Sequence, residues 1–421
     1  MQRGICFLGL AVMILLAWCM SSHRTKVSPR IVIGGLLLQF GFAFLILKTS
    51  AGAQCFTVLG QFFTAVLQFV DEGTAFLFDI FPRSDDPDPL PAQYTLWRSF
   101  AFGILPTIIF FSSLMSVLYH LGVMQVVVKG LATLMRVTLG TSGAETLSAS
   151  ANIFVGQTEA PLVIRPYVSR MTLSELNVVM VGGFATIAGG VMAAYVSMGI
   201  DAGHLMTASV ISAPAALLVA KILQPETEES RTAGDVQIEA KTGCVNVIEA
   251  AAEGASSGLQ LALNVGAMLI VFVAFVAMAN SAIGLVGGYL ADHWDWMAAR
   301  DWSLELFVGW VFAPVAWLMG IEWEECSKAG SILGTRMVVN EFLAYIQLSG
   351  AKAELSPRTY MIMTYALCGF ANFSSIGIQL GGIGGIAPER RADLARLGLR
   401  AMLGGTLATF MTACVAGILL D

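Results

Sequence analysis

The chain has 421 residues, of which 56% are hydrophobic and only 12% are charged, and its formal net charge is −6. Because ordinary soluble domains carry about 25% charged residues, this composition excludes a typical soluble enzyme and predicts a membrane protein. The small negative charge also excludes the basic footprint of a nucleic-acid-binding protein, so we expect no nucleic-acid partner.

The seven cysteines and four histidines are dispersed along the chain, and the cysteines form no CxxC motif. Most of the cysteines lie in apolar runs, which indicates small buried hydrophobic side chains. Neither residue type has the spacing of a zinc site or a catalytic triad. We therefore expect no cofactor held by these residues.

The first two apolar runs, Ile5–Met20 and Ile31–Leu47, predict membrane helices. The first run has the apolar length of a signal peptide, but no convincing small-residue cleavage site follows it. The loop between the runs is positive, which places it in the cytoplasm and the N-terminus outside. Its basic residues are His23, Arg24, Lys26 and Arg30.

The next segments alternate between spanning and interfacial patterns. Phe56–Val70 has a mixed face and predicts an amphipathic helix along the membrane interface. The aspartate-containing loop Pro82–Pro91 suits the outer side, and Ser99–Leu121 predicts a span that returns inward. Gly122–Gly140 predicts a second interfacial helix. Residues 1–140 are thus expected to form mainly a scaffold.

Thr141–Arg170 is too interrupted by serine, glycine and proline for one straight span and too apolar for an ordinary loop. We predict two short helical arms that meet near Gly156–Pro161, a re-entrant hairpin, which is tolerated at depth only where it is buried in protein or lines water. Glu159 lies at its tip, and a charge at bilayer depth costs roughly 2.5–3.5 kcal/mol, so it is a functional candidate. Uncharged polar neighbours indicate a lined cavity and not a salt bridge. These neighbours are Asn152, Gln157 and Thr158.

Leu176–Ile200 predicts the next span, but its middle, Gly182–Gly190, contains four glycines and a threonine and predicts a break. Ala202–Leu223 then returns across the membrane. Residues 141–224 are therefore expected to form one structural repeat, which consists of a hairpin, a broken span and a span.

Pro225–Ala252 is the longest polar segment and predicts a solvated cytoplasmic linker near the midpoint of the chain. Gly258–Ser281 predicts a scaffold span, and the tryptophan-rich Ala291–Asp301 predicts an interfacial helix at the membrane boundary. Residues 225–303 are expected to contain these three segments.

The last third repeats the earlier order. Leu304–Gly320 and Ile332–Leu348 flank a short polar piece and predict a second hairpin with Glu341 at its tip. Thr359–Gly381 predicts another broken span, interrupted at Asn372–Gly377.

Gly398–Leu420 closes the chain as an outward span, so residues 304–421 form a second repeat. The predicted fold class is an all-α polytopic membrane protein with eight transmembrane helices, two re-entrant hairpins of opposite orientation, interfacial helices and an inverted repeat. Both termini lie outside in this topology. Paired broken helices of this kind are typical of secondary transporters whose site lies near the middle of the membrane.

The residue types at the breaks indicate what they bind. Helix ends present unpaired N–H and carbonyl groups, and carbonyl, asparagine and threonine oxygens suit a hard cation. Carboxylates and amides suit a neutral, hydroxyl-rich solute, because charge-assisted hydrogen bonds are about twice as strong as neutral ones. Phe370 either stacks on a planar ring or simply packs. Two alternatives stay open: an intramembrane enzyme that uses Glu159 and Glu341 as an acid/base pair, and a passive channel.

Four long motifs carry a resemblance to a known family. They are NIFVGQTEAPLVIRPY from Asn152, TIAGGVMAAY from Thr186, NEFLAY from Asn340 and CGFANFSSIGIQLGG from Cys368. Through these motifs the chain closely resembles the concentrative nucleoside transporter family, in its bacterial eight-span form. The resemblance implies a cation-coupled nucleoside symporter in a bacterial cytoplasmic (inner) membrane. It also implies a homotrimer in the lipid bilayer, in which a mobile transport domain moves like an elevator.

The resemblance also implies site residues. Those that would face the nucleobase are Gln157, Thr158 and Glu159, and those that would form apolar walls are Val191, Leu261 and Phe370. Those that would hold the ribose are Glu341, Asn372 and Ser375. Those of the sodium site would be Asn152, Val155, Thr186 and Ile187. The asparagine at position 152 favours Na⁺ as the coupling ion, with proton coupling as the alternative.

Overall fold

The computed structural model describes residues 2–78, 100–232, 244–291 and 302–420, and every regular element in these ranges is helical. The loop Pro82–Pro91 lies outside the described residues, as does nearly all of Ala291–Asp301. The helices of the N-terminal part are α1 (Gln2–Cys19), α2 (Pro29–Lys48), α3 (Ser50–Phe78), α4 (Leu105–His120) and α5 (Val123–Leu139).

The remainder of the described chain contains both short and long helices. The helices up to the midpoint are α6 (Gly143–Ala151), α7 (Ala160–Val163), α8 (Arg165–Val168), α9 (Leu173–Ala185), α10 (Gly189–Ser197) and α11 (Ala202–Leu223). Those that follow are α12 (Val247–Ala291), α13 (Leu304–Leu318), α14 (Trp323–Val338), α15 (Glu341–Gly350), α16 (Pro357–Leu367), α17 (Phe373–Ile386) and α18 (Arg391–Leu419).

The predicted all-α membrane class is confirmed, although the set of spans differs from the prediction. Eight stretches in the described ranges are long and apolar enough to cross a membrane. One of them is α3, whose 29 residues extend well beyond the interfacial helix predicted at Phe56–Val70. The predicted span Thr359–Gly381 is not among them, because its break leaves two helices that are each too short.

The inner helices of the bundle are buried, and the outer helices expose apolar side chains. The most apolar stretches of Leu173–Ser197, Ala202–Leu223 and Pro388–Leu419 are 100%, 89% and 89% buried. In α2 the corresponding share is 22%, and Leu37 there is 68% exposed. A surface of large apolar side chains requires lipid or another subunit around it, so the polar groups of the inner helices are shielded on all sides.

The first broken span has its break where it was predicted. The helix α9 ends at Ala185, the residues Thr186–Ala188 are not helical, and α10 begins at Gly189. The second break lies earlier than the predicted Asn372–Gly377. It covers Cys368–Asn372, because the Asn372 side chain accepts a hydrogen bond from the Ser375 N–H (2.9 Å) and so starts a new helix.

The second hairpin region consists of three helices and not of the two predicted arms. A bend of 119° separates α13 from α14. The connection between them contains Gly320, whose φ of 86° is left-handed and favours glycine. The polar piece after it begins α14, where Glu324 and Glu325 suit the positive end of a helix. Glu341 is the first residue of α15, where the chain turns from α14.

The two chain ends lie at one end of the bundle. The Arg3 side chain donates to the Leu420 carbonyl (3.2 Å), and Gln2 donates to Glu322 (2.6 Å), just before α14. The start of α14, the helix that leads to Glu341, therefore lies beside the termini.

The base of the first predicted hairpin lies at the opposite end. The Ser22 N–H, one helix length from the N-terminus, donates to the Leu223 carbonyl (2.9 Å). The Gly143 N–H at the start of α6 donates to the Thr232 carbonyl (3.2 Å), a few residues after α11. The helices α6 and α14 thus begin at opposite ends of the bundle.

A buried ionic cluster joins the elements at this second end. The Lys221 Nζ lies 2.7 Å from a Glu145 oxygen and 3.2 Å from a Glu226 oxygen, and it donates to the Ser174 hydroxyl (2.9 Å). Lys221 and Glu145 are only 4% and 1% exposed. The cluster therefore fixes the base of α6 to α9 and α11.

The predicted solvated linker Pro225–Ala252 is correct only in part. Thr232 and Ser230 donate hydrogen bonds of 2.5 Å to the Glu175 carboxylate, and α12 already begins at Val247. Residues 233–243 lie outside the described part. Glu228, Glu229 and Arg231 are exposed as expected, whereas Ser230 and Thr232 are exceptions because their partner lies at the start of a distant helix.

We expect Lys221→Met to destabilise the protein strongly, because it leaves the Glu145 carboxylate buried without its cation. Breaking a buried ion pair in this way costs about 3–5 kcal/mol. The matched control is Lys328→Met, which removes an exposed ion pair with Glu354 (2.8 Å) and should cost about 1 kcal/mol or less. Thermal unfolding of the two purified variants in detergent measures the difference. Equal Tm values for both would contradict a stabilising cluster.

Candidate functional site

The tip of the first hairpin is an irregular turn between α6 and α7. Asn152 ends α6, and its Nδ2 donates back to the Ser148 carbonyl (3.0 Å). The chain does not resume as one long helix, because Pro161 and Pro166 each allow only a new first turn. The Glu159 carboxylate accepts a hydrogen bond from the Gly156 N–H (3.3 Å), which closes the turn.

The tip of the second hairpin is joined directly to both broken spans. The Glu341 carboxylate accepts a hydrogen bond from Asn372 Nδ2 (2.8 Å) in the second break. Its other oxygen accepts from the Tyr195 hydroxyl (3.2 Å) on α10. Glu341 is 5% exposed, and charge-assisted bonds of this kind are strong in an apolar surrounding. The carboxylate therefore holds three separate elements at one point.

A second contact connects the first hairpin tip with α17. The Gln379 Nε2 donates to Gln157 Oε1 (3.0 Å) and to the Met180 carbonyl (3.0 Å) on α9. Gly183 makes room for this pair, since a Cβ there would lie 2.8 Å from both Gln157 Cβ and Gln379 Nε2. Ser375 lies one helical turn before Gln379, is buried, and bonds to Asn372 through its backbone.

The predicted sodium ligands lie where the first hairpin tip meets the first break. The Gly189 N–H donates to the Phe154 carbonyl (3.1 Å), which holds the two irregular segments together. The predicted ligands Asn152, Val155, Thr186 and Ile187 are all at most 5% exposed.

The donor set of this region suits a hard cation. The Asn152 Oδ1 is buried with no hydrogen-bond partner among the described residues. The Thr186 hydroxyl donates its proton to the Gly182 carbonyl (2.9 Å), so the lone pairs of its oxygen remain available to a cation. Neutral oxygen ligands of this type bind hard cations. By contrast, the described ranges contain no group of three or more His, Cys, Asp or Glu side chains that could hold a metal.

The other predicted site residues differ from one another in burial and in their position in the fold. Val191 is 2% exposed on α10, and Phe370 is half-buried in the second break, where its N–H donates to the Thr186 carbonyl (3.3 Å). Thr158 is exposed at the hairpin tip beside Gly382, where a Cβ would lie 3.0 Å from its methyl group. Leu261 is half-buried on α12, which packs along α4, and it takes no part in the contacts that join the two tips.

Arg336 was not among the predicted site residues, although it supports the second break. It is 1% exposed. Its Nη1 donates to the Ala366 carbonyl (2.7 Å) and to the Thr409 hydroxyl (2.9 Å), and its Nε donates to the Gly369 carbonyl (3.4 Å). A cation that donates to the last carbonyls of α16 replaces the intrahelical bonds that the break removes.

Tyr195 and Gln379 were also missed. Tyr195 ends the motif TIAGGVMAAY, and Gln379 lies within CGFANFSSIGIQLGG. A single polar side chain in a long apolar run was the available signal for both, because such groups are buried only when a partner satisfies them.

The fold and the site define a polytopic helical membrane transporter. Three family models match the chain, described as Na⁺ dependent nucleoside transporter N-terminus (8–80), nucleoside recognition (101–202) and Na⁺ dependent nucleoside transporter C-terminus (204–417). The chain belongs to this family of concentrative nucleoside transporters. Its relatives are transporters, so the intramembrane enzyme is excluded.

Individual relatives agree with this placement. The chain is 46% identical to an uncharacterized transporter of Haemophilus influenzae, over 98% of this chain and 96% of the relative. It is 42% identical to sodium/nucleoside cotransporter 1 of Mus musculus, over 99% of this chain but 64% of that longer protein.

Solved structures give the same result. CNTnw in an inward-facing substrate-bound state matches with a TM-score of 0.91 at 42% identity, and the match covers 100% of this chain and 98% of that chain. A CNTnw variant in an outward-facing state matches with a TM-score of 0.89 at 41% identity, with the same coverage.

We expect Arg336→Met to raise the KM for nucleoside uptake by tenfold or more, because the carbonyls of the second break lose their donor. Loss of one charge-assisted bond is worth about 1.5–3 kcal/mol, and about 1.4 kcal/mol is a factor of ten. Arg336→Lys should recover part of the effect. The control is Arg400→Met, whose guanidinium reaches only Gln224 (3.4 Å). An unchanged KM in a normally folded Arg336→Met protein would contradict this role.

Proposed function

We propose that the chain is a Na⁺-coupled nucleoside symporter of a bacterial cytoplasmic membrane. The observation that carries the proposal is the meeting of the second hairpin tip with both broken spans at the Glu341 carboxylate. A buried carboxylate surrounded by amide and hydroxyl groups can exchange these partners for the hydroxyls of a sugar, which are donors of the same kind.

The proposed nucleoside site lies between the two hairpin tips. The residues proposed for the nucleobase are Gln157, Thr158 and Glu159, and those proposed for the ribose are Glu341, Asn372 and Ser375. The residues proposed for the apolar walls are Val191, Leu261 and Phe370. The contacts of Glu341 with Asn372 and of Gln157 with Gln379 support this arrangement, because each joins a hairpin to a broken span. Leu261 has the weakest support, since it contacts neither pair.

The proposed sodium site lies beside the nucleoside site and shares the first hairpin. Asn152 and Thr186 would supply side-chain oxygens, and Val155 and Ile187 would supply carbonyls. The unpartnered Asn152 Oδ1 supports this assignment, since an orphaned acceptor in a protein interior costs free energy unless a ligand satisfies it.

Coupling follows from the shared hairpin. Sodium that binds to Asn152 orders the turn that carries Gln157 and Glu159, so the ion raises nucleoside affinity, and the nucleoside raises ion affinity by the same factor. One charge moved across 100 mV is worth about 2.3 kcal/mol. By the rule of tenfold per 1.4 kcal/mol, this equals roughly 50-fold accumulation.

The proposed motion is an elevator movement of an inner transport domain within a homotrimer. Residues 141–224 and 304–421 would form the mobile unit, and 1–140 with 225–303 would form mainly the scaffold. The contrast between buried inner helices and exposed apolar outer helices supports this division. Both termini would lie outside, and the two hairpins would enter from opposite faces, as supported by the starts of α6 and α14 at opposite ends of the bundle.

We expect uridine uptake into proteoliposomes to require an inward Na⁺ gradient and to exceed the outside concentration. Asn152→Ala should raise the Na⁺ concentration for half-maximal uptake by tenfold or more, because the ion loses a ligand. The matched control is Asn177→Ala. That asparagine is also fully buried with an unpartnered Oδ1, yet it lies at the other end of α9 and bonds to the Ala220 carbonyl (2.9 Å). Uptake that is indifferent to Na⁺ but driven by a pH gradient would establish proton coupling instead, and simple equilibration would establish a channel.

We expect Glu341→Gln to abolish uridine uptake while the protein still folds and assembles. The amide keeps the shape of the side chain but loses the charge, so its bonds to sugar hydroxyls become neutral and weaker. Uptake and size-exclusion chromatography of the same preparation separate loss of function from loss of assembly. Wild-type uptake by this variant would remove Glu341 from the site.

A further inference from the structure

Gln157 has its amide orientation decided by a neighbour outside the proposed binding site. Gln379 is 0% exposed on α17 and donates two hydrogen bonds from one nitrogen, to the Met180 carbonyl and to the Gln157 side chain, each of 3.0 Å. The Met180 carbonyl is a backbone acceptor and cannot donate a hydrogen bond. The nitrogen of Gln379 must therefore face it, since the oxygen would be repelled.

The orientation of Gln157 follows from that of Gln379. Both hydrogens of the Gln379 amide are directed, one to Met180 and one to Gln157, so the Gln157 atom that receives the second must be an acceptor. That atom is Oε1. The amino group of Gln157 is then the end that is directed away from Gln379, and both of its hydrogens are donors.

Two features indicate that Gln379 serves this orientation and not the stability of the bundle. Its Oε1 is buried without a hydrogen-bond partner among the described residues, which costs stability compared with an apolar side chain of the same size. In addition, Gly183 on α9 has no side chain at the position where a Cβ would collide with both glutamines. The pair of Gln157 and Gln379 thus leaves one buried oxygen unsatisfied and requires a glycine where a larger side chain could pack.

We propose that Gln379 is a positioning residue that fixes Gln157 as a hydrogen-bond donor and thereby selects nucleobases by an acceptor on their edge. The inference rests on the proposed function, in which Gln157 faces the base. The ligand chemistry it selects is a keto oxygen or an unprotonated ring nitrogen placed opposite Gln157. A base edge that offers only donors would meet the donors of Gln157 and be rejected.

The test compares uridine with two analogues, each with one keto oxygen of the base replaced by sulfur, a weaker acceptor of similar shape. In the wild type, the KM of one analogue should be about fivefold to tenfold higher than that of uridine, as expected for the loss of one neutral hydrogen bond. The ratio of these two KM values is the measured quantity. Gln379→Met should reduce this ratio to below about twofold. Without its bond to Gln379 the Gln157 amide is no longer held in one orientation, so its hydrogen bond to the keto oxygen is weaker and replacement of that oxygen by sulfur costs less. The ratio for an analogue that lacks a ribose hydroxyl should stay as in the wild type.

The matched control is Gln39→Met. Gln39 is another fully buried glutamine, but its amide donates to Thr412 (3.3 Å) between α2 and α18. Its analogue ratios should equal those of the wild type. If Gln379→Met does not assemble, Gln157→Met tests the same donor and should likewise remove the discrimination against sulfur.

Two outcomes would overturn the inference while leaving the proposed function intact. In one, wild-type protein accumulates uridine and both sulfur analogues equally well. In the other, Gln379→Met retains the wild-type ratio although Gln157→Met removes it. A wild-type ratio in both variants contradicts the proposed placement of Gln157 beside the base. A wild-type protein that does not accumulate uridine at all contradicts the proposed function itself, so the two failures are distinguishable.

Discussion

Polar groups at the centre of an apolar bundle must satisfy one another, and this constraint decides the architecture of the site. Glu341 can lie within the bundle only because Asn372 and Tyr195 donate to it, and an unpaired carboxylate there would be prohibitively costly. The three residues come from a hairpin tip, a helix break and the far half of a broken span. The same hydrogen bonds that make the charge tolerable therefore bring these three elements together.

Helix breaks create a related demand for their backbone groups. Each interruption leaves N–H and carbonyl groups without intrahelical partners, and lipid cannot supply them. At the second break the Arg336 guanidinium supplies donors to two of the carbonyls. At the first break the turn of the first hairpin supplies the Phe154 carbonyl to the Gly189 N–H. The Asn152 Oδ1 has no hydrogen-bond partner among the described residues after this pairing, so it would be available to the proposed ion.

The distribution of burial suits the proposed movement of the site as one unit. The inner helices are locked together by buried polar contacts, including the ionic cluster at Lys221, whereas the outer helices present mainly apolar side chains outward. Contacts between apolar surfaces are non-directional, so one unit can slide along another at low cost. In the proposed motion, directional hydrogen bonds inside the moving unit would keep the two hairpin tips in the same relative position.

Composition and local pattern alone determined the all-α membrane class, the irregular Thr141–Arg170 region, the first break and the interruptions of the helices at Glu159 and Glu341. These features depend on nearby residues, because proline, glycine and capping side chains act within one or two helical turns. Only the tertiary structure decided the roles of Tyr195, Arg336 and Gln379. Their partners are distant in the chain, 146 positions away for the Tyr195 contact with Glu341 and 222 for the Gln379 contact with Gln157. A buried polar side chain signals that a partner exists, but the identity of that partner is set by how the helices pack.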